Sequence, residues 1–339
     1  MTDSDILLEV KNLKTYFFLE EGTVRAVDGA DFDIKRGTTL GVVGESGCGK
    51  SVTARSILRI VEPPGRVVDG QILYHRYLRR DHDFSLAEVV DLAQLDARSK
   101  KMREIRGGEI AIVFQEPMTS FSPVHTIGDQ IIEAILLHQD VTKAEARALT
   151  IEMLQRVGMP KPSITVDQYA FELSGGMRQR AMIAMALSCN PQLLIADEPT
   201  TALDVTTEAQ ILDLMRELQE QMGMAIMYIT HNLGVIAEMA QQVVVMYLGK
   251  MVERADVDTV FYDAQHPYTR ALLRSIPRIE DQRGRRLEAI KGIVPDPYAL
   301  PSGCPFHPRC SSRMEICGEV EPPLVEVAPG HWVRCHLYG

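Results

Sequence analysis

The sequence lacks an excess of positive charge. Its 339 residues include 36 Lys and Arg against 46 Asp and Glu, so the net charge is −10 at pH 7. A protein that holds a nucleic-acid backbone normally presents a field of Lys and Arg to the phosphates. The composition therefore argues against a nucleic-acid partner.

The sequence also lacks the run of about 18 apolar residues that a membrane-spanning helix needs. Its N-terminus, MTDSDILLEVKN, has neither the basic segment nor the apolar segment of a secretory signal peptide. We therefore expect any role at a membrane to depend on other subunits. What the chain does have is 45% hydrophobic residues, enough for a full core in two domains or in one domain with a large extension.

The first part of the chain alternates apolar, strand-like runs with helical patterns, which is typical of an α/β domain with a largely parallel sheet. The predicted strands are LLEVKNL from Leu7, TTLGVVG from Thr38, EIAIVFQ from Glu109, QLLIADE from Gln192, MAIMYIT from Met224 and VVVMYLG from Val243. Thr142 and Glu145 predict a capping box that opens a helix, and Gly158 is expected to close it.

Two regions differ from this alternation. The charged segment 74–101 predicts a surface insertion plus a helix. After about Arg254, Pro and Gly become frequent and the strand pattern fades. We therefore predict one domain over residues 1–255 and a loop-rich extension over residues 256–339.

The stretch GESGCGKS, from Gly44 to Ser51, fits the pattern G-x-x-x-x-G-K-[ST], and it lies between a predicted strand and a predicted helix. Glycines let backbone N–H groups surround an oxyanion, Lys50 reaches the β and γ phosphates, and Ser51 offers its hydroxyl to Mg²⁺. The residues predicted to bind the nucleotide here are Gly44, Glu45, Ser46, Gly47, Cys48, Gly49, Lys50, Ser51 and Val52. Cys48 is more simply a small residue filling the loop than a redox switch, because no resolving thiol is near it in sequence.

Polar side chains follow three of the predicted strands. QLLIADE ends in Asp197 and Glu198, and two carboxylates at the end of a buried strand are costly unless a cation or a water uses them. Asp197 is therefore predicted to serve the Mg²⁺ shell and Glu198 to polarise an attacking water. Gln115 and His231 end two further strands in the same way.

The stretch LSGGMRQR places Ser174, Gly175 and Gly176 directly before a helical run. A helix N-terminus attracts anions, so this is a second candidate phosphate grip in one domain. On its own the tripeptide SGG also fits a plain N-cap and turn.

Four of the six cysteines lie near the end of the chain, at Cys304, Cys310, Cys317 and Cys335, with the spacing C-x5-C-x6-C-x17-C. Disulfides are rare in cytosolic proteins, so metal is the leading interpretation. The spacing does not match the paired C-x2-C of zinc knuckles, and it leaves zinc, an iron–sulfur cluster and free thiols all open. His307, His331 and His336 are near enough in sequence to be substitute ligands.

The motifs taken together resemble the ATP-binding subunits of ABC transporters. The phosphate loop, Gln115, LSGGM, LLIADE, TALD (201–204) and His231 occur in that family's order, although Met177 stands where Gln is commoner. FQEPMTSFSP, DEPTTALD, THNLGVIAE and HPYTRALLRSIP are similar to the branch that imports peptides and nickel. The segment 74–101 departs from the family, where this link is usually shorter.

The resemblance implies an α/β, P-loop ABC-type nucleotide-binding domain with a helical subdomain at about 116–190, followed by a small loop-rich, metal-binding C-terminal extension. It implies a head-to-tail pair of such domains, with ATP held between the phosphate loop of one and the signature of the other.

Phe17 resembles the aromatic that stacks on adenine, with Tyr16 as the alternative. The residues implied to be catalytic are Glu198, His231, Gln115 and Lys50. Those implied to hold Mg²⁺ are Ser51, Gln115 and Asp197, and those implied to contact nucleotide from the signature and D-loop are Ser174, Gly175, Gly176 and Asp204.

The implied function is an ATP-hydrolysing motor of a di- or oligopeptide importer, peripheral on the cytoplasmic side of the cell membrane. Its implied partners are two transmembrane permease subunits, a second homologous ATPase and an extracytoplasmic substrate-binding protein. An importer of nickel, glutathione or oligosaccharides is the alternative within transport, and a soluble ABC ATPase acting on DNA or ribosomes is the alternative outside it. The resemblance also implies a [4Fe–4S] cluster on the four cysteines, with zinc as the second choice.

Overall fold

The computed structural model describes residues 5–80, 83–116, 120–201, 203–275 and 290–339. The strands are β1 (Ile6–Leu19), β2 (Gly22–Lys35), β3 (Thr39–Val43), β4 (Gly65–Arg80), β5 (Asp83–Asp91), β6 (Ile110–Val113), β7 (Leu193–Asp197), β8 (Ala225–Ile229), β9 (Gln242–Tyr247), β10 (Lys250–Asp256), β11 (Leu324–Ala328) and β12 (His331–Arg334). The α-helices are α1 (Lys50–Ile57), α2 (Lys100–Gly108), α3 (Ile127–His138), α4 (Lys143–Arg156), α5 (Pro162–Thr165), α6 (Gly175–Leu187), α7 (Val205–Met222), α8 (Leu233–Met239), α9 (Val257–Tyr262) and α10 (Pro267–Arg274). No helix in these ranges is long and apolar enough to cross a membrane.

The chain folds as two compact units. The first comprises the described residues within 1–34, 39–94 and 229–339, and the second those within 35–38 and 95–228. The first unit contains an antiparallel sheet with the strand order β2-β1-β4-β5. It also contains strands in the order β11-β12-β10-β9-β3, in which β3 and β9 are parallel and pair Leu40 with Gln242.

The second unit contains the strands β8, β7 and β6, which are neighbours in that order, together with helices α2 to α7. β6 and β7 are parallel, and Ile110 pairs with Leu193. Every residue of β7 and of β8 is buried. Strands covered on both faces are continuous apolar runs rather than alternating ones, which explains why LLIAD and AIMYI were recognisable.

All six predicted strands are confirmed, as parts of β1, β3, β6, β7, β8 and β9. The predicted capping box is confirmed as well. The Thr142 hydroxyl accepts the N–H of Glu145, and the Glu145 carboxylate accepts the N–H of Thr142 at 2.7 Å. Gly158, with φ of 69°, follows the end of α4.

The charged segment 74–101 is more regular than the sequence indicated. Most of it is an antiparallel pair formed by the end of β4 and by β5, with Tyr74 paired to Val90. Tyr74, Tyr77 and Val90 are buried, while Arg76 and Glu88 form an ion pair across the two strands. Charged residues therefore alternate with buried apolar residues along these two strands, and their density concealed the apolar positions. The predicted helix is α2, which starts at Lys100.

The described residues of the C-terminal segment, 256–275 and 290–339, belong to the same unit as the first strands. β12 pairs with β10 through Glu253 opposite Val333, and β11 pairs with β12. The predicted boundary at residue 255 therefore falls within β10 and does not coincide with a boundary between compact units. Short strands from a Pro-rich stretch extend an existing sheet, and such pairing between distant segments leaves no local periodicity to read.

Candidate active site

The stretch 44–51 connects β3 directly to α1, as a phosphate-binding loop requires. Gly44 has φ of 153° and Gly49 has φ of 101°, both in the region that favours glycine. A Cβ on Gly44 would lie 2.2 Å from the Met246 carbonyl oxygen, and a Cβ on Gly49 would lie 2.2 Å from that of Ala26. The backbone alone therefore shapes this loop, with no room for side chains at these two positions.

Lys50 is positioned within the loop. Its side chain is buried, and Nζ donates to the carbonyl oxygens of Gly44 at 2.8 Å and Glu45 at 3.1 Å. Ser51 is the next residue of α1. A buried ammonium held by two carbonyls is pre-oriented, so little side-chain entropy remains to be lost when it binds an oxyanion.

Cys48 lies in the interior of the loop and is buried. Burial raises the pKa of its thiol, and the nearby Lys50 opposes this only in part. The thiolate is the reactive form of cysteine. The structure thus favours the packing interpretation of Cys48 over the redox switch.

The second unit brings Gln115 and Glu198 together. Gln115 Nε2 donates to Glu198 Oε2 at 3.2 Å, and the Thr201 hydroxyl donates to the same oxygen at 3.1 Å. Glu198 has φ of 48°, and a non-glycine residue held in this left-handed region costs about 1–3 kcal/mol, a strain often found at functional sites. Asp197, the last residue of β7, is buried.

The signature residues form the start of α6. Ser174 is the N-cap, and its hydroxyl accepts the N–H of Met177 at 3.3 Å, while Gly175 and Gly176 open the helix. A Cβ on Gly176 would lie 2.8 Å from Cγ2 of Thr207. Glycine at this position therefore permits close packing against the first turn of α7.

Asp204 of the D-loop caps α7. Its carboxylate accepts the N–H of Thr207 at 3.0 Å and the Thr207 hydroxyl at 2.7 Å. These hydrogen bonds lower the pKa of Asp204. The adjoining D-loop residue Ala202 lies outside the described residues.

His231 follows β8 and lies in the first unit, where it is exposed. The preceding residue, Thr230, donates its N–H to the carbonyl of Val42 in β3 at 3.2 Å. The following residue, Asn232, caps α8. His231 therefore lies between Thr230, which is bonded to the strand that precedes the phosphate loop, and Asn232, which is the N-cap of α8.

The two aromatic candidates for adenine have different surroundings. The Tyr16 hydroxyl donates to Asp28 at 2.6 Å, and partial burial together with this bond raises the pKa of Tyr16 to about 12. Phe17 packs against the backbone at the start of β4, since a Cβ on Gly65 would lie 2.5 Å from Phe17 Cε1.

Four cysteines of the C-terminal segment line one small cavity, together with His266, His307 and His336. All four are unpaired. Burial, and then the charges of the neighbouring thiols, raise the pKa of Cys304 to about 11. Burial also raises the pKa of Cys310 and Cys335. As they stand, the described residues contain no group of three or more His, Cys, Asp or Glu arranged to hold a metal ion.

The three histidines proposed as substitute ligands make other contacts. His331 Nε2 lies 2.8 Å from Glu253, the His307 ring contacts the Cys304 carbonyl, and the His336 ring contacts the Val320 carbonyl. His331 is thus part of a buried pair with Glu253 and does not line the cysteine cavity.

The comparisons with known proteins fit this geometry. Residues 27–201 match the model of the family described as "ABC transporter". The chain belongs to the ABC transporter family. Within the family, residues 252–317 match a second model, described as "Oligopeptide/dipeptide transporter, C-terminal region".

Curated relatives of this ABC protein match it along nearly the whole chain. The oligopeptide transport ATP-binding protein AppD of Bacillus subtilis is 49% identical over 333 residues, which cover 98% of this chain and 97% of AppD. A probable peptide ABC transporter ATP-binding protein of Sinorhizobium fredii is 48% identical, covering 98% and 95%. The dipeptide transport ATP-binding protein DppD of B. subtilis is 46% identical, covering 98% and 94%.

Solved structures confirm the α/β, P-loop ABC nucleotide-binding fold. The cassette MJ0796, solved as a dimer in a post-hydrolysis state with ADP and Pi, matches with a TM-score of 0.62 at 24% identity, covering 74% of this chain and 99% of that one. CbiO1 of Clostridium perfringens, part of the cbiONQ transporter complex, matches with a TM-score of 0.59 at 26% identity, covering 76% and 92%.

Proposed function

We propose that this chain is the ATP-hydrolysing motor subunit of an importer for di- or oligopeptides. The observation that carries the proposal is the union of two regions in one chain. An ABC cassette over residues 27–201 is followed by a segment over residues 252–317 that matches the oligopeptide and dipeptide transporter C-terminal region. The relatives named for peptide, oligopeptide and dipeptide transport span the same length.

In the first unit, the proposed task is to grip the nucleotide. Backbone N–H groups of the loop surround the phosphates, Lys50 pairs with the β and γ phosphates, and Ser51 supplies a hydroxyl ligand to Mg²⁺. Lys50 is already held inside the loop by the Gly44 and Glu45 carbonyls. His231 contacts the γ phosphate in this proposal, and Phe17 or Tyr16 stacks on adenine.

In the second unit, the proposed task is to activate water. Glu198 orients the attacking water and accepts its proton, and Asp197 and Gln115 belong to the Mg²⁺ shell. Gln115 and Thr201 both donate to the Glu198 carboxylate, so its direction is fixed before substrate binds. Mg²⁺, when bound, neutralises charge that develops on the phosphate oxygens.

The signature is proposed to serve a second cassette. Ser174, Gly175 and Gly176 sit at the start of a 13-residue helix, where N–H groups and the helix dipole favour an anion. Each ATP would then be shared between the phosphate loop of one subunit and this helix of the other. The proposed assembly comprises this chain, a homologous ATPase, two permease subunits and an external substrate-binding protein, with the ATPases on the cytoplasmic face of the membrane.

The four cysteines are proposed to hold a [4Fe–4S] cluster, with a zinc ion as the second choice. The donor set supports a metal, because four unpaired thiols line one cavity and burial together with the neighbouring thiols raises the pKa of Cys304. A bound metal centre supplies the positive charge that turns such thiols into thiolates. The surrounding segment is poor in regular structure, so the centre would act mainly as a structural staple.

The test is transport by the assembled complex. This chain would be expressed with the permease, ATPase and binding-protein genes cotranscribed with it and reconstituted in vesicles. We expect the binding protein and short peptides to stimulate ATP hydrolysis and peptide uptake, and Lys50→Ala to abolish both. Stimulation by Ni²⁺, glutathione or an oligosaccharide with no response to peptides would disprove the peptide assignment while leaving the ATPase assignment intact.

A further inference from the structure

Glu45 is the acidic residue of the phosphate loop, and it is held at both its backbone and its side chain. Its N–H donates to the hydroxyl of Tyr268 at 2.9 Å. Its carboxylate accepts two hydrogen bonds from one guanidinium, with Arg309 Nη1 at 2.6 Å and Arg309 Nη2 at 3.0 Å. A bidentate pair of this kind fixes orientation as well as charge.

Arg309 directly precedes Cys310. It therefore belongs to the stretch 304–335 that carries the four cysteines, which we call the four-cysteine segment. Its side chain is only 4% exposed, and Nη1 also donates to the Tyr247 hydroxyl at 3.3 Å. Nε donates to the carbonyl of Lys291 at 3.2 Å. The hydrogen bond to Glu45, stronger in effect than burial, raises the pKa of Arg309. This guanidinium is therefore a fixed part of the fold and not a loose surface charge.

An aromatic cluster forms a second connection between the same two regions. Phe306 lies between Cys304 and Cys310 in the sequence. The centroid of its ring is 5.2 Å from the ring centroid of Tyr247 and 5.4 Å from that of Tyr268. Tyr268 is the residue that accepts the Glu45 N–H. Phe306 and Arg309 are thus both within four positions of a cysteine that lines the cavity.

A carboxylate in a loop that binds a triphosphate opposes that binding. Like charges within a few ångströms repel, and the repulsion is stronger where water is partly excluded. Arg309 offsets the charge of Glu45 and holds its carboxylate. Without the guanidinium, Glu45 would keep its negative charge and gain freedom to approach the phosphates.

We propose that Arg309 is a positioning residue for the ATP site, through which the conformation of the four-cysteine segment sets the affinity of the phosphate loop for nucleotide. The proposal rests on residues 44–51 as the ATP-binding loop and is independent of the transported substrate. It assigns to the C-terminal segment a regulatory contact with the motor, in addition to its own packing.

The experiment is a double-mutant cycle on the purified full-length chain, read out as the Kd of a fluorescent Mg²⁺–ATP analogue. Arg309→Ala should weaken binding at least about 10-fold, because the Glu45 carboxylate then repels the phosphates with no guanidinium to offset its charge. Arg309→Lys should recover part of this loss, because it restores the charge without the bidentate geometry. Arg313→Ala, an exposed arginine of the same segment, is the matched control and should bind like the unmodified chain.

The second arm removes the charge that Arg309 neutralises. In a Glu45→Gln background, Arg309→Ala should weaken binding much less than it does alone, because no carboxylate is left to repel the phosphates. In the assembled complex, Arg309→Ala should raise KM for ATP with a smaller change in kcat. Equal losses in the two backgrounds, or unchanged binding by Arg309→Ala, would overturn the proposal.

A third arm connects the cysteines to the loop. Cys310→Ser should weaken ATP binding in the unmodified chain and have less effect when Arg309→Ala is already present. Strictly additive effects would show that the segment does not act through Arg309. Lys50→Ala tests the ATP site independently of Arg309, since normal ATP binding by that variant would refute the assignment of residues 44–51 as the phosphate loop. Thermal unfolding of every variant identifies any loss caused by misfolding, and if Arg309→Ala fails to fold, Arg309→Lys and Glu45→Gln complete the cycle.

Discussion

The phosphate loop and the four-cysteine segment are both short, recognisable patterns, but they are built in different ways. The loop is shaped by backbone, with Gly44 and Gly49 in conformations that leave no space for a Cβ and with Lys50 already held by two carbonyls. The segment is shaped around side chains, with four unpaired thiols lining a cavity. A site made of backbone is complete before its ligand binds, whereas a site made of thiols depends on what fills it.

The two regions should also differ in how substitutions affect the stability of the fold. Variants of the nucleotide motifs should alter chemistry while the fold persists, because most of those residues are glycines or polar residues that bury little apolar surface. Variants of the cysteines should alter the local fold first and chemistry second, because metal binding and folding are coupled in segments with few apolar contacts. Four substitutions examine this contrast.

The largest expected effect is on turnover. Glu198→Gln keeps the shape of the side chain but cannot accept a proton, so ATP hydrolysis should fall about 10²- to 10⁴-fold, the usual contribution of a general base. ATP binding and the melting temperature should be nearly unchanged, because the amide can still contact Gln115 and Thr201. Single-turnover hydrolysis and nucleotide binding measure the two quantities, and hydrolysis at the normal rate would rule out Glu198 as the base.

Gly44→Ala examines the backbone-built loop. The added Cβ would lie 2.2 Å from the Met246 carbonyl oxygen, so the loop must move, and ATP affinity should fall at least about 10-fold, which corresponds to about 1.4 kcal/mol. Gly318→Ala is the control, since a Cβ there meets nothing within 4 Å. Equal ATP affinity in the two variants would mean that the loop adapts to a side chain and is not fixed by its backbone.

Cys317→Ser examines the segment built on thiols. If the proposed cluster is present, the anaerobically purified variant should lose iron, sulfide and the visible absorbance of the cluster. Its free energy of unfolding should fall by about 2–4 kcal/mol. That loss is of the size expected when a structural centre or cross-link is removed from a loop-rich segment. A native chain that contains neither iron nor zinc after anaerobic purification would eliminate the proposed centre.

The smallest effect is expected from Cys48→Ala, a cysteine of the other region. Cys48 is buried, and burial raises the pKa of its thiol, so it acts as a small packing residue. Losing the sulfur should cost less than about 1.5 kcal/mol, and ATP hydrolysis by the variant should respond to mild oxidants as it does in the native chain. A large gain in oxidant resistance relative to the native loop would show that Cys48 is reactive after all.

The sequence predicts those parts of the site that depend on neighbouring residues. The glycine spacing of 44–51 specifies one loop, and the apolar runs before Asp197 and Gln115 place polar groups at strand ends. The hydrogen bond between Gln115 and Glu198 agrees with that placement. The capping box at Thr142 was readable for the same reason, since its two partners are three residues apart.

Other features depend on side chains that meet only after folding. Arg309 and Glu45 are 264 positions apart, and neither residue belongs to a pattern that names the other. The strand pair of β4 and β5 was concealed because charged residues are interspersed among its buried apolar ones. The sequence also could not assign His331, which pairs with Glu253 inside the fold rather than facing the cysteines.

One consequence of the strand order concerns how the C-terminal segment can be studied. β12 covers the edge of β10, and β11 is the outermost strand of that series. Truncation before β11 would uncover a row of backbone hydrogen-bonding groups, and bare strand edges recruit other chains into aggregates. A shortened protein would therefore aggregate, and its ATP binding would not reveal the effect of the segment on the phosphate loop. Single substitutions are the safer tool for this segment.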